Sequence, residues 1–454
     1  MARVFAAAVT LAVFVTSGTS VSTKTSNYFV TPEAPDYNNE VVAKLLANVN
    51  SLRNPGEAYA VFDWDNTCLF GDVSATSMFY QVDNLNFRFS PDEFESIFAL
   101  GYNATSSSDT CFPNGTSSVI GQDAKGADVT LVAALADMAK DYQVLYDAYI
   151  APTYNLTNGS AASTTLSEIK ETTEFLNFRA KLSFLLYSLI VMDGGNEYSE
   201  CSLTNAMMVY PRLLVGMTED EIRTSIRASI RWNLAESLDS FTYTSTGDLV
   251  VEGSYSKGLR VFSGQEATMR ALREAGVEVY IISASPELFA EEAGDLLGLG
   301  YLVPKTNVYG GRFTTDAAGK FSGKLQEDYP TTWGPGKATV VKSILMQIHE
   351  GAAPIYASGD SDGDCEMFST VRDGIVDTNN RLMDNSTCIY SYYEKACLYF
   401  GTTEPITNNA YLLQGQDKSI GTWITSGFTT EDGANYSSGV ATNDGCTVYK
   451  FLDK

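Results

Sequence analysis

The chain has 454 residues, with 55 acidic against 30 basic side chains, one histidine, a formal net charge of -25 and 44% hydrophobic residues. That length supports a large buried core and predicts two domains, or one domain with a large insertion. The charge disfavours nucleic acid and anionic membranes and opposes the long-range approach of anions, so any anion site must be built locally.

Residues 1–20, MARVFAAAVTLAVFVTSGTS, set Arg3 before an apolar stretch and then small residues, the layout of a secretory signal peptide. Export is therefore expected. The apolar part is too short to span a bilayer, and the run from Leu182 to Met192 is broken by polar residues and reads as a buried helix. No stable membrane insertion is expected. Seven cysteines fit an oxidising compartment and leave at least one unpaired, and without a CxxC there is no zinc ribbon or thioredoxin motif. The pairings considered are Cys111 with Cys201, and Cys388 with Cys397 or Cys446. Six sequons, at Asn103, Asn114, Asn155, Asn158, Asn385 and Asn435, permit glycosylation.

Residues 22–39 are polar and unpatterned. EVVAKLLANVNSL (40–52) has helical spacing and stops at Asn54-Pro55-Gly56, after which AYAVFDWD reads as a strand. The leader and this strand, 21–75, form the first part of the core. Residues 76–255 alternate helical patterns with Gly- and Ser-rich loops and read as a mainly helical insert. From 256 to 400 helix, turn and apolar strand recur, as in GQEATMRALREAG before VEVYIISAS and KATVVKSILMQIHEG before APIYASGD. That order predicts an α/β fold, a parallel sheet covered by helices on both faces. VYGGRFTTDAAGKFSGKL (308–325) reads as a hairpin, and 401–454 as loops and short strands packed on the core.

The first strand ends on Asp63 and Asp65, which share a face while Trp64 points the opposite way. Adjacent carboxylates raise each other's pKa unless a cation stabilises them, and a divalent metal is the economical cation. Mg2+ takes oxygen ligands and leaves positions open for water and phosphate. A second acidic strand end, PIYASGDSDGD, supplies Asp360, Asp362 and Asp364. Ligands gather at the carboxyl ends of strands in open parallel sheets, so both clusters can face one crevice. It is no EF-hand, since Cys365 and Val371 stand where Gly and Glu are required. VEVYIIS ends on the hydroxyl of Ser283, and GPGK places Lys337 at a helix start without a Walker pattern.

These four segments in this order resemble the motifs of the haloacid dehalogenase superfamily of phosphohydrolases: AVFDWDNT, YIISAS, Lys337 in GPGK, and GDSDGD. The likeness extends to its phosphoserine phosphatase-like and secreted phosphorylcholine phosphatase-like members. The resemblance implies a Rossmann-like parallel sheet with a helical cap inserted after the first strand, joined by Cys68 to Val73 as a mobile connection. It implies a secreted Mg2+-dependent phosphatase of small phosphomonoesters acting through an aspartyl phosphate. Asp63 is then the nucleophile, Asp65 the general acid and base, and Ser283 with Lys337 the phosphate clamp. Metal ligands are expected among Asp63, Asp65, Asp360 and Asp364. Asp72, Trp64 and FYQVDNLNFRF are candidates for substrate contact, though aromatic stripes mostly fill cores.

Rival chemistries are excluded or kept open by simple counts. One histidine, His349 in QIHEG, read as a surface or capping residue, is too few for a histidine phosphatase or a serine triad. Cys365 and Arg372 have six residues between them where a cysteine phosphatase needs five. Phosphoryl transfer to an acceptor other than water, and a catalytically silent binding protein on the same fold, remain as alternatives.

Overall fold

The computed structural model describes residues 31–98, 117–157, 164–190, 209–399, 409–427 and 429–431, with three short strand segments beyond. Its centre is a six-stranded parallel sheet. The strands are β1 (Tyr59–Phe62), β2 (Glu278–Pro286), β3 (Val308–Gly311), β4 (Tyr356–Gly359), β5 (Ile375–Asn379) and β6 (Ala410–Gln414), in the order β6-β5-β4-β1-β2-β3. Register runs from Ala60 opposite Tyr356 on one side of β1 and Tyr59 opposite Glu278 on the other.

All four residues of β1 are buried, as expected for a strand covered on both faces. Its alternation feeds two cores: Ala60 and Phe62 pack with Val41, Leu45, Met269 and Phe289, whereas Tyr59 and Val61 pack with Val340, Val341, Phe368 and Tyr393. Helix α1 (Asp36–Leu52) covers the first face with Val41, Val42, Leu45 and Val49. It begins four residues before the periodic apolar pattern, because Asn38 and Asn39 are buried through bonds to Leu413 and Thr31 rather than through apolar contact.

Between β1 and β2 the chain leaves the core and returns. Leu69–Phe70 pairs antiparallel with Arg260–Val261, so the expected mobile connection at 68–73 is half of a two-stranded ribbon, with Cys68 and Leu69 fully buried. Beyond it lie α2 (Val73–Asp83), α3 (Leu131–Leu145), α4 (Thr173–Ile190) and α5 (Glu219–Ala235). The helices α2, α3 and α4 enclose a separate aromatic core around Phe87, Phe89, Phe94, Tyr142 and Phe178, whereas Ile222, Ile226 and Ile230 of α5 pack with the main core. The aromatic run 79–89 is thus structural. The insert also holds hairpins at 119–130 and 239–257, beside its helices.

Helix α5 of the insert meets α7 (Glu287–Asp295), which follows β2, through charge. Arg223 bridges Glu291 and Glu292, and Arg227 and Lys305 also reach Glu292, which is nearly inaccessible. Burial opposes ionisation of Glu292, yet the three cations hold its pKa below the usual range.

Several expectations need correction. His349 is buried, its ring stacked on Tyr59 at 4.3 Å and held between the Tyr280 hydroxyl at 2.9 Å and the Gly56 carbonyl at 2.7 Å. The helix end that carries it folds under the sheet, where the aromatic rings of β1 and β2 form a slot for an imidazole. Cys388 pairs with Cys365, and neither Cys397 nor Cys446 is its partner. Cys397 is disulfide-bonded as well, Cys68 is a buried free thiol, and Cys111 and Cys201 lie outside the described residues. Within 308–325, the first four residues are a strand of the main sheet, and the hairpin is Phe313–Thr315 with Phe321–Leu325. The last segment does more than pack on the core, because Ala410–Gln414 is the edge strand β6, paired with β5. Among the described residues no helix is long and apolar enough to cross a membrane.

Burial pushes the Asp377 carboxyl of β5 up to about 6, opposed by the Tyr356 hydroxyl 2.7 Å away. A carboxyl raised on folding contributes most favourably below its ordinary pKa of 3.8, and stability falls as pH rises from there through 6. Two units correspond to about 3 kcal/mol. Asp377→Asn is expected to exceed the parent in urea unfolding at pH 7 by up to that amount and to match it at pH 4. A constant difference across that range would refute the assignment.

Candidate active site

The chain order of the sheet reverses at β1: later strands β4, β5 and β6 lie on one side, β2 and β3 on the other. Side chains just beyond the carboxyl ends of β1, β2, β4 and β5 therefore converge on one crevice. A cavity there is lined by Asp63, Asp65, Asp72, Ser285, Lys337 and Asp360, with Tyr210, Trp333 and Arg381 along its walls.

Asp63 follows β1, and its backbone N–H donates to the Ser358 carbonyl at 2.9 Å, which extends the ladder by one residue. Its carboxylate accepts from the Lys337 ammonium and, at 3.1 Å, from the Thr67 hydroxyl. Lys337 is the third residue of α8 (Pro335–Val340) and donates also to Asp364 at 2.7 Å. Only a glycine can precede it, since a Cβ at Gly336 would sit 1.4 Å from the Thr331 carbonyl oxygen. Asp364 turns back beneath β4 to accept from the N–H groups of Asp360 at 2.9 Å and Ser361 at 3.1 Å. Gly359 permits that approach, because a Cβ there would meet the Asp364 carboxylate at 2.5 Å.

Asp63, Asp360 and Asp364 each present a carboxylate oxygen within 4.8 Å of the others, all buried. Oxygens bound to one Mg2+ at about 2.1 Å lie up to about 4.2 Å apart across the octahedron, so three hard oxygen donors gathered within 4.8 Å need only a small inward shift to share such an ion. The Asp65 carboxylate is not in the trio: it accepts from the Val73 N–H at 2.7 Å and the Ser285 hydroxyl at 2.6 Å. The expected fourth carboxylate ligand is thus held to one side by the start of α2.

Burial raises the pKa of Asp63 to about 6; Lys337 opposes the rise and Asp360 adds to it. Asp65 lies well above the ordinary carboxylate range, through burial first and then the charge of Asp72, with the Ser285 bond working against both. Burial works against the Lys337 charge, but Asp364 and Asp63 outweigh it and hold the ammonium above its usual value. The arrangement separates one carboxylate paired to a cation from one whose pKa is pushed well above the ordinary range, the division that acid and nucleophile chemistry needs.

The sequence reading located Asp63, Asp65, Asp360, Asp364 and Lys337 at this crevice. Ser283 is almost inaccessible and its hydroxyl accepts from the Ser285 N–H at 3.1 Å; Ser285 is the hydroxyl on the cavity wall. Asp72 lines the cavity and caps α2 through the Ala75 N–H at 2.8 Å. Trp64 faces away, fully buried against Tyr301 at 5.1 Å. Tyr210 and Arg381 carried no local signal, whereas Trp333 stands two residues before Pro335 in the glycine-lysine segment already singled out.

A family model described as haloacid dehalogenase-like hydrolase matches residues 230–369. The phosphorylcholine phosphatase of Pseudomonas aeruginosa is 33% identical over 141 residues, 26% of this chain and 40% of that protein. The match therefore spans well under two thirds of that relative. The crystal structure of a conserved functionally unknown protein from Anaerococcus prevotii superposes with a TM-score of 0.70 at 22% identity, over 90% of this chain and 99% of that one. That likeness shows a shared fold over 90% of this chain.

Removing Lys337 would leave Asp63 and Asp364 buried side by side. Lys337→Met is expected to destabilise the metal-free protein by about 3–5 kcal/mol at pH 8. The deficit should shrink as pH falls towards about 6, where Asp63 titrates with Lys337 in place, because without the ammonium the buried carboxylates protonate at higher pH still. Urea unfolding in EDTA reads it, and an unchanged midpoint at pH 8 would show that the ammonium does not neutralise the pair.

Proposed function

We propose that this chain, whose residues 230–369 match the haloacid dehalogenase-like hydrolase model, is a Mg2+-dependent phosphatase of small phosphomonoesters, working through an aspartyl phosphate on Asp63. The observation that carries the reading is the buried trio of Asp63, Asp360 and Asp364, with Lys337 between Asp63 and Asp364, beside an Asp65 whose pKa burial raises well above the usual range.

Asp63, Asp360 and Asp364 would hold the metal, which when bound supplies positive charge against the phosphoryl oxygens. An oxygen of Asp63 attacks phosphorus while the bond to the leaving alkoxide breaks, and Asp65 gives its proton to that alkoxide. Asp65, now ionised, takes a proton from water; the resulting hydroxide attacks phosphorus, the bond to Asp63 breaks and inorganic phosphate leaves. Ser285 and Val73 hold Asp65 in place for both transfers. The Lys337 ammonium offsets negative charge on Asp63 and on the phosphoryl group throughout.

The leaving group occupies the part of the cavity nearest the insert, between Tyr210, Trp333 and Asp72. Aromatic faces and a carboxylate favour a small cationic alcohol, so phosphorylcholine heads the substrate panel. The same reading includes export of the chain, supported by its N-terminal pattern and by the Cys365–Cys388 disulfide.

Phosphate release from phosphorylcholine, phosphoserine and p-nitrophenyl phosphate is expected with Mg2+ and not with EDTA. Asp63→Asn should abolish it. Asp65→Asn should lower kcat about 10^2–10^4-fold on alkyl phosphates and much less on p-nitrophenyl phosphate, whose leaving group needs no proton. Turnover surviving Asp63→Asn would overturn the nucleophile.

A further inference from the structure

A phosphate dianion entering this cavity meets Asp63, Asp65, Asp72 and Asp360, and two cationic side chains stand among them. Lys337, with 2% of its side chain accessible, is already shared by Asp63 and Asp364. Arg381 differs: its Nη1 donates to Asp360 at 2.7 Å, yet 37% of the side chain is accessible and it lines the cavity. A guanidinium carries five donors in a planar fork and can serve more than one anion at once.

The loop that delivers Arg381 is braced. Its own N–H donates to the Tyr393 hydroxyl at 3.2 Å, and Leu382 after it takes a left-handed conformation with φ of 64°. Asn380 before it is clamped by the C-terminal segment. Its side-chain amide donates to the Gly427 carbonyl at 2.9 Å, while its own carbonyl accepts from Gln416 at 3.1 Å and from the Thr429 hydroxyl. Residues 416–429 thus reach the end of β5 beside the catalytic crevice. The hydroxyl expected to share phosphate binding, Ser283, is turned toward backbone instead.

We propose that Arg381, held by the C-terminal segment, receives the non-bridging oxygens of the substrate's phosphate. This rests on the phosphatase reading and adds to it a binding residue, a role for the C-terminal segment and a source of affinity for the phosphate product.

The test uses the full chain with Mg2+ and inorganic phosphate as probe. Arg381→Met is expected to raise the dissociation constant for inorganic phosphate, and KM for phosphomonoesters, about tenfold or more. Its Mg2+ dissociation constant, measured by calorimetry without phosphate, should not rise, because removing a cation from Asp360 leaves that carboxylate at least as available to the ion. Arg381→Lys should recover part of the loss, and Thr429→Val should shift phosphate binding in the same direction by less. Unchanged phosphate binding in Arg381→Met overturns the proposal. So does an equal loss of Mg2+ affinity, which would make Arg381 a positioning residue for Asp360. If the parent protein binds phosphate and loses it in Arg381→Met but hydrolyses no phosphomonoester, the phosphatase reading fails and the anion site stands.

Discussion

The ammonium of Lys337 between Asp63 and Asp364 is the interaction on which the rest of the site depends. Three buried carboxylates from two strand ends cannot converge in a low-dielectric crevice without a compensating charge. Lys337 supplies it from the start of a helix that neither strand contains. The local backbone is shaped to let this happen: Gly336 brings the helix start against Thr331, and Gly359 lets Asp364 fold under β4. A residual negative charge remains in the cavity, and it is this surplus that suits a divalent ion.

Around that centre, two neighbouring acids acquire different chemistry from their surroundings alone. Asp63 faces a cation and the trio; Asp65, two residues on, faces a serine, a helix start and another acid. The strand geometry that puts them on one face would make them equivalent. The turn after Asp65 breaks the equivalence: Asn66 adopts a left-handed conformation with φ of 57°, and Asn379 of β5 clamps the carbonyls of Asn66 and Thr67. The insert contributes Tyr210 to the cavity wall and meets the core through the Arg223, Arg227 and Glu292 network.

Much of this was legible in the residues. Burial on both faces of β1, the helix-strand alternation after 256 and the acidic strand ends are properties of short segments, and the model has them. The insert was read as helical because LVAALADMAKDYQVLYDAY and TTEFLNFRAKLSFLLYSLIVM dominate it. The hairpin at 239–257 was missed, although FTYTSTGDLVVEGSY alternates around a turn. Ser283 was chosen as the hydroxyl at a strand terminus, but β2 runs three residues further, to Pro286, and the later Ser285 reaches the cavity. His349 and Cys388 went astray for a shared reason: their partners, Tyr59, Tyr280 and Cys365, are distant in the chain and nothing local marks them.

Composition, apolar periodicity and the order of four short motifs determined by themselves a strongly negative net charge, a parallel α/β core, and the acids and lysine that the fold brings together at the strand ends. Those signals survive because burial and strand alternation act over a few neighbouring residues. Tertiary structure alone decided which acid joins the trio and which stays apart, which serine faces the cavity, and that Arg381 and the C-terminal segment belong to the site. Those outcomes depend on groups well separated in the chain meeting at hydrogen-bond distance, as Asp65 and Ser285 do at 2.6 Å, and no local pattern encodes such a distance.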